Sequence, residues 1–283
     1  MNWLRNFKKN KKNNMLPVVE IFTSIQGEGK YTGIPSIFVR VSGCNLRCIF
    51  KDSICDTPYT SFNPEARHYN SMDDLVLEFK KEQEKHPHVK HVVVTGGEPL
   101  LYKKDLEEFL GRVWNNEMII TIETNGTKPI LNPLSGKFRV DLYSVSPKLS
   151  TSVGKAGQQI GDITVTQEMV DRHDSERMNY KNLIDIVTSA NYQFKFVYSG
   201  PECVDEIKSI YKEMGKLVQD KDDQFYNFYM RHHPNKHTML MPEGIHSKDL
   251  DAKAQEMVQV CMENNWRFSD RLHIRIWDDK RGV

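Results

Sequence analysis

Three cysteines, Cys44, Cys48 and Cys55, crowd the polar segment GCNLRCIFKDSICDT in a C-x3-C-x6-C spacing. Free cysteines are ordinarily buried in cores, so their gathering in a loop directly after the apolar run Ile37–Val41 points to metal or cluster chemistry. Two readings compete. Structural zinc usually takes four ligands, often as paired C-x2-C knuckles; no such pair occurs, and His68 would complete the set only by coincidence. An iron–sulfur cluster normally takes four cysteine ligands, so a three-cysteine loop would leave one iron open to a substrate or cofactor. Further along, VVVTGGEPLL ends a buried-looking strand in Gly96 and Gly97, where missing side chains let the backbone approach a ligand. Glu98 follows and offers a carboxylate to a cationic group.

These groups need elements to hold them. Short β-rich runs recur at Val18–Phe22, Ile37–Val41, His91–Thr95, Met118–Glu123, Leu142–Val145, Phe194–Tyr198 and Leu272–Ile276. Helical patterns lie between several of them. Ser71 with Asp73 and Asp74 starts one helix, whose apolar face is Met72, Leu75, Val76 and Phe79, and Pro87 lies past its end. Leu106, Phe109, Leu110 and Val113 mark the next; Leu250, Ala254, Met257, Val258 and Cys261 mark another near the C-terminus. Cys261 is therefore expected to be a core thiol, and Cys203, at the start of a further helix, a buried one. Strands alternating with helices imply an α/β fold with a mainly parallel sheet or partial barrel. Reactive groups in such folds collect at the carboxyl ends of the strands.

The 283 residues, 39% of them apolar, allow one large domain or two small ones. Neither a repeat nor a Gly/Ser- or Pro-rich linker divides the chain, so a basic arm over 1–16 and a single domain over 17–283 are expected. Arg5, Lys8, Lys9, Lys11 and Lys12 carry the arm's charge without an acid, so that 39 basic and 38 acidic residues in all leave a mildly acidic body. Such arms are usually disordered and solvated. With mean hydropathy −0.59 and no run of eighteen apolar residues, no membrane-spanning helix is expected. The start of the chain lacks the apolar stretch of a secretory signal, and five cysteines argue against a disulfide framework. A cytoplasmic protein is expected.

TSIQGEG before the cysteines, the CDT that closes them, and then TGGEP, ETNGT and VSPK stand in an order that resembles the 7-carboxy-7-deazaguanine synthase family of the radical S-adenosylmethionine superfamily. The resemblance runs from about Val18 to the C-terminus. It implies a partial (β/α) barrel, a [4Fe-4S] cluster on Cys44, Cys48 and Cys55, and a fourth iron for the amino and carboxylate groups of S-adenosylmethionine. One electron would cleave that cofactor to methionine and a 5′-deoxyadenosyl radical. The family's substrate is 6-carboxy-5,6,7,8-tetrahydropterin, which loses hydrogen at C6, contracts its ring and releases ammonia to give 7-carboxy-7-deazaguanine, with S-adenosylmethionine regenerated.

Residue by residue, the resemblance assigns Gly97, Glu98, Ser146, Pro147, Lys148, Met241 and Glu243 to S-adenosylmethionine, with Ile54 and Asp56 of the cysteine loop beside it. Ile25, Gln26, Gly27, Glu28, Arg40, Thr95 and His273 would meet the substrate, Arg40 pairing with its carboxylate. Thr57 would be a ligand of Mg²⁺, a hard cation that suits a hydroxyl oxygen. An electron donor such as flavodoxin or ferredoxin and a homodimer are also implied. Without this context Arg40 would read as one half of an ion pair, His273 as an ordinary hydrogen-bonded histidine and Lys148 as surface charge.

Departures are visible too. The superfamily's usual spacing is C-x3-C-x2-C, so this loop holds four extra residues; Ile54, or else Phe50, stands where an aromatic residue commonly packs near the adenine. The basic arm, FNPEARHYN and the terminal RIWDDKRGV have no clear counterpart. Two other functions share some of these features. An activase of a glycyl-radical enzyme would keep the cluster but not need TSIQGEG, and a non-catalytic iron–sulfur or zinc protein could bind nucleic acid through the arm. The acidic body speaks against the latter.

Overall fold

The computed structural model describes residues 15–67, 69–132, 136–220 and 223–283. The charged positions of the basic arm, and His68, lie outside them. Strand β1 (Val18–Ile25) pairs antiparallel with β2 (Pro35–Val41). From β2 onward the sheet is parallel: β3 (His91–Gly96), β4 (Ile119–Thr124), β5 (Leu142–Val145), then, past the small hairpin β6 (Gln159–Ile160) and β7 (Ile163–Thr164), β8 (Tyr192–Tyr198), β9 (Thr238–Pro242) and β10 (Arg267–Phe268). The strand order β1-β2-β3-β4-β5-β8-β9-β10 never reverses. Right-handed crossovers that always advance in one direction place the connecting helices on one face, and the result is the expected partial (β/α) barrel.

Those helices are α1 (Pro58–Ser61), α2 (Met72–Lys85), α3 (Lys103–Val113), α4 (Gln167–Glu176), α5 (Tyr180–Ser189), α6 (Glu202–Gln219), α7 (Asp223–Arg231), α8 (Ser247–Asn264) and α9 (Leu272–Trp277). Ser71 starts α2 through a capping box with Asp74, which satisfies two backbone donors at once. Phe79 of α2 meets Phe109 of α3 edge to face at 5.6 Å. Cys203 and Cys261 are buried as expected. Val258 is not: it is 41% exposed, because α8 buries only the narrow stripe of Leu250, Met257 and Cys261.

Alternation along the strands separates core from cavity. Val39, Val92, Val94, Ile120, Ile122, Val145, Phe194 and Phe196 face the helices and form the core. Their neighbours Phe38, Arg40, Thr95, Glu123, Ser144 and Lys195 face inward. A fully apolar strand would waste that second face, so polar residues between buried ones mark the inside of the barrel.

One expected strand is a helix. Leu272, Ile274 and Ile276 alternate as in a strand, but 272–277 form α9, in which only Ile274 is buried and Ile276 is 51% exposed. Arg271 caps the turn, its carbonyl accepting from the amides of Ile274 and Arg275. Short apolar runs suit either structure, and here the sheet edge is already occupied by β10. No helix among the described residues is long and apolar enough to cross a membrane.

Candidate active site

At the carboxyl ends of the strands the barrel opens into a cavity of about 770 Å³. Cys44, Cys48 and Cys55 line it together, on a loop that leaves β2. The extra residues between Cys48 and Cys55 form a small hairpin, closed by a bridge between Ile49 and Ile54 and by the Phe50 amide on the Ser53 carbonyl at 2.8 Å. Gln158 Nε2 donates to the carbonyls of Phe50 and Lys51, and Ser53 Oγ to Glu243. On the other side Asn125 Nδ2 donates to Asn45 Oδ1 at 3.1 Å and so ties the loop to the end of β4.

Burial raises all three thiols above the ordinary range, Cys44 to about 12, with Glu98 and Cys55 adding to its shift. Such groups stay neutral unless a metal takes the proton's place. Among the described residues no three His, Cys, Asp or Glu side chains converge on one point tightly enough for a single ion. Three cysteine sulfurs lining one cavity are the soft ligands that an iron–sulfur cluster takes. Cys44, Cys48 and Cys55 therefore fit the [4Fe-4S] group.

The two glycines at the end of β3 line the cavity and also serve a packing purpose. A Cβ on Gly96, whose φ is +124°, would lie 2.1 Å from the Val41 carbonyl oxygen, and one on Gly97 would lie 2.1 Å from that of Gly43. Their bareness lets β3 press against the root of the cysteine loop, although both still line the cavity. Glu98, in contrast, lies outside the lining: it is fully buried and accepts from the amides of Leu100 and Asn125 and from Thr124 Oγ1 at 2.7–3.0 Å. Burial pushes this carboxyl up, against those three hydrogen bonds. It props the cavity floor and presents no carboxylate to the cavity. Pro147 is likewise absent from the lining; its neighbours Ser146 and Lys148 are in it, Lys148 Nζ donating to Ser146 Oγ at 2.9 Å. Met241 and Glu243 line the cavity at the end of β9.

Ile25, Gln26, Gly27 and Glu28 continue β1 into the cavity. Gln26 Nε2 donates to Glu123 at 3.2 Å, and Thr95 Oγ1 donates to the same carboxylate at 2.7 Å. Gly27 packs on His273, whose Nδ1 would be 2.0 Å from an added Cβ. Glu28 already holds two cations: it accepts from Lys195 Nζ, and from Arg271 Nε at 2.9 Å. Although burial alone would raise the Glu28 carboxyl, Lys195 and Arg271 hold it far below the usual carboxylate range. Lys195 is correspondingly raised against its own burial by Glu28 and Glu123. Burial lowers the His273 imidazole despite the nearby Glu28, so this ring is neutral beside the charged cluster.

Arg40 lines the cavity, sits over the Phe22 ring at 5.6 Å and donates through Nε to Glu20 at 2.7 Å. Asp56 and Thr57 follow Cys55 on the rim, with Thr57 Oγ1 3.4 Å from both the Cys55 sulfur and Asp56 Oδ1. The two segments without a counterpart meet each other. Arg281 of the terminal run pairs with Glu65 of FNPEARHYN and with Glu20, and stands 3.8 Å from the Tyr59 ring centroid.

Glu123, Lys195 and Arg271 belong to the site and were not among the residues expected there. The first two were findable as polar positions on alternating strands; Arg271 had no such signal.

A radical S-adenosylmethionine superfamily model matches residues 38–152. The chain is similar to the 7-carboxy-7-deazaguanine synthase of Halobacterium salinarum, 36% identical over 264 residues that cover 93% of this chain and 91% of that one. It is also similar to that of Rhodopirellula baltica, 33% identical over 269 residues, 95% and 89% of the two chains. The crystal structure of QueE from Escherichia coli superimposes with a TM-score of 0.54 at 21% identity, covering 94% of this chain and 98% of the other, and so shares the fold. With a third of its residues shared over nearly the whole length of such relatives, and three cysteines gathered at the mouth of this barrel, the chain belongs to the 7-carboxy-7-deazaguanine synthase family of radical S-adenosylmethionine enzymes.

Proposed function

We propose that this enzyme converts 6-carboxy-5,6,7,8-tetrahydropterin to 7-carboxy-7-deazaguanine and ammonia, using S-adenosylmethionine, a [4Fe-4S] cluster and Mg²⁺. One observation carries the reading: a single cavity holds three cysteine thiols at its mouth and a polar inner wall of Gln26, Thr95, Glu123 and Arg40 beyond them. When bound, the cluster and S-adenosylmethionine supply a carbon-centred radical after one-electron reduction, chemistry that belongs to the cofactors and that the protein orients.

The chain's own residues supply binding and exclusion of water. A pterin presents an edge of donors and acceptors, which a buried wall must match group for group. Glu123 accepts, Gln26 both donates and accepts, and Thr95 is fixed by Glu123 in one orientation. Arg40 uses Nε for Glu20, and its two Nη groups carry no hydrogen bond among the described residues; that edge suits a bidentate carboxylate. Thr57, with Asp56 beside it, offers the hard oxygen that Mg²⁺ prefers, the remaining ligands coming from substrate and water. Ser146, Lys148, Met241 and Glu243, which line the same cavity, would contact S-adenosylmethionine. A soluble reductant such as flavodoxin or ferredoxin would deliver the electron.

Anaerobic reconstitution with iron and sulfide, followed by S-adenosylmethionine, reductant, Mg²⁺ and the carboxypterin, tests this reading by mass spectrometry. 7-Carboxy-7-deazaguanine is expected from the parent protein and not from Cys48→Ala. Release of 5′-deoxyadenosine without that product would keep the superfamily chemistry and reject the substrate.

A further inference from the structure

Arg271 joins segments that the sequence keeps far apart. Its side chain is only 7% exposed. Nε donates to Glu28 on the loop after β1, Nη1 to the Gly244 carbonyl after β9, and Nη2 to Asp56 in the cysteine loop. The residues on either side of it are stitched to the same β1 loop: the Leu272 amide donates to the Gly27 carbonyl and the Gly29 amide to Ser269 Oγ, both at 2.9 Å. The loop that follows β1 and the segment 269–273 therefore move as one piece. Asp56 is the point at which the cysteine loop is fastened to that piece.

The rest of the cysteine loop is held elsewhere. Its hairpin hangs on Gln158 and Glu243, and its start hangs on Asn125. Asp56 lies between Cys55 and Thr57, and its side chain is 43% exposed, so packing contributes little to its placement. Four extra residues make this loop longer than the superfamily's usual one, and a longer loop loses more freedom when it is fixed. A planar guanidinium presents its donors in a rigid fork that can reach three acceptors at set angles; an ammonium on a flexible stem cannot. The cluster sets Glu28, Asp56 and Glu123 against Lys195 and Arg271.

We propose that Arg271 is a positioning residue: it holds the cysteine loop at a fixed place against the loop that follows β1, and so keeps radical formation in register with the substrate. The second half of this statement rests on the function proposed above. Arg271→Lys keeps the positive charge and removes the fork. In the apoprotein, amide deuterium exchange over residues 53–57 is expected to speed up by ~10-fold in Arg271→Lys and in Asp56→Ala, since a lost tether raises the local opening population. In the reconstituted enzyme, iron content is expected to match the parent while product formed per 5′-deoxyadenosine released falls by ~10-fold or more, the scale of a small misplacement at a reacting centre. A role limited to stability would lower the yield of folded protein and leave that ratio unchanged.

Parental exchange over 53–57 in both variants, or a parental ratio in Arg271→Lys, overturns the proposal. If Arg271→Lys does not fold, Asp56→Ala decides it, because its side chain is open enough for the truncation to be accommodated. If the parent itself makes no product from the carboxypterin, the proposed function fails, and the exchange measurement still decides whether Arg271 holds the loop.

Discussion

His173 shows how one buried ring supports the cysteine loop. Its Nδ1 accepts from the Arg47 amide at 3.1 Å, so the ring is neutral with its proton on Nε2, which faces Ser152 Oγ at 3.0 Å. Ser152 in turn donates to the Leu149 carbonyl. Protonation of Nδ1 would turn the acceptor into a donor pointing at another donor. Burial, with help from Lys148 and Arg177, pushes this histidine down to about 4, and burial alone does the same to His91, which lies between Ser36 and Thr121. Above the ordinary value near 6.5 both the folded and unfolded states are neutral. As the pH falls below it, the unfolded chain takes up protons that the folded one refuses, and stability is lost until about pH 4, on the order of 3 kcal/mol per histidine over the whole window. Urea midpoints of the apoprotein should therefore fall between pH 7 and pH 5, and fall less in His173→Gln. An equal decline in both would show that His173 does not stay neutral in the fold.

At the scale of the element, the close contact between the end of β3 and the root of the cysteine loop is the most exacting feature. A side chain on Gly97 would meet the Gly43 carbonyl, so Gly97→Ala is expected to cost about 1–3 kcal/mol, as overpacking of a filled interior does. Its iron content after reconstitution should drop as well, because Gly43 adjoins Cys44. Parental stability and iron content would mean that the strand end can shift freely. Most of the strands, the start of α2 and the gathering of three cysteines in one loop were legible in the sequence because each depends on neighbours a few residues away. The capping box of Ser71 and Asp74 is local, and so is the spacing of Cys44, Cys48 and Cys55. Glu98 misled for the opposite reason. Its motif was read correctly as the end of a strand, but only the folded chain shows Thr124 and Asn125 closing over its carboxylate. The alternation of Leu272, Ile274 and Ile276 fits strand and helix alike until the neighbouring sheet edge is known.

For the whole molecule, function follows from winding a sheet in one direction with its helices outside. That arrangement frees the inner face of each strand, so that Arg40, Thr95, Glu123 and Lys195, spread over more than half of the sequence, meet in one cavity. The same closure brings the terminal run back across the mouth, where Arg281 joins Glu20, Glu65 and Tyr59. Such long-range meetings are what a single sequence conceals: nothing near Arg271 announces Glu28 or Asp56. In the proposed reaction a radical formed at the cysteine loop takes hydrogen from a pterin held on this inner wall. The most direct test supplies the reconstituted enzyme with 6-carboxytetrahydropterin deuterated at C6 and follows the label by mass spectrometry. Deuterium recovered in S-adenosylmethionine or 5′-deoxyadenosine, together with 7-carboxy-7-deazaguanine, is the predicted result; product formed with no label in either cofactor species would contradict it.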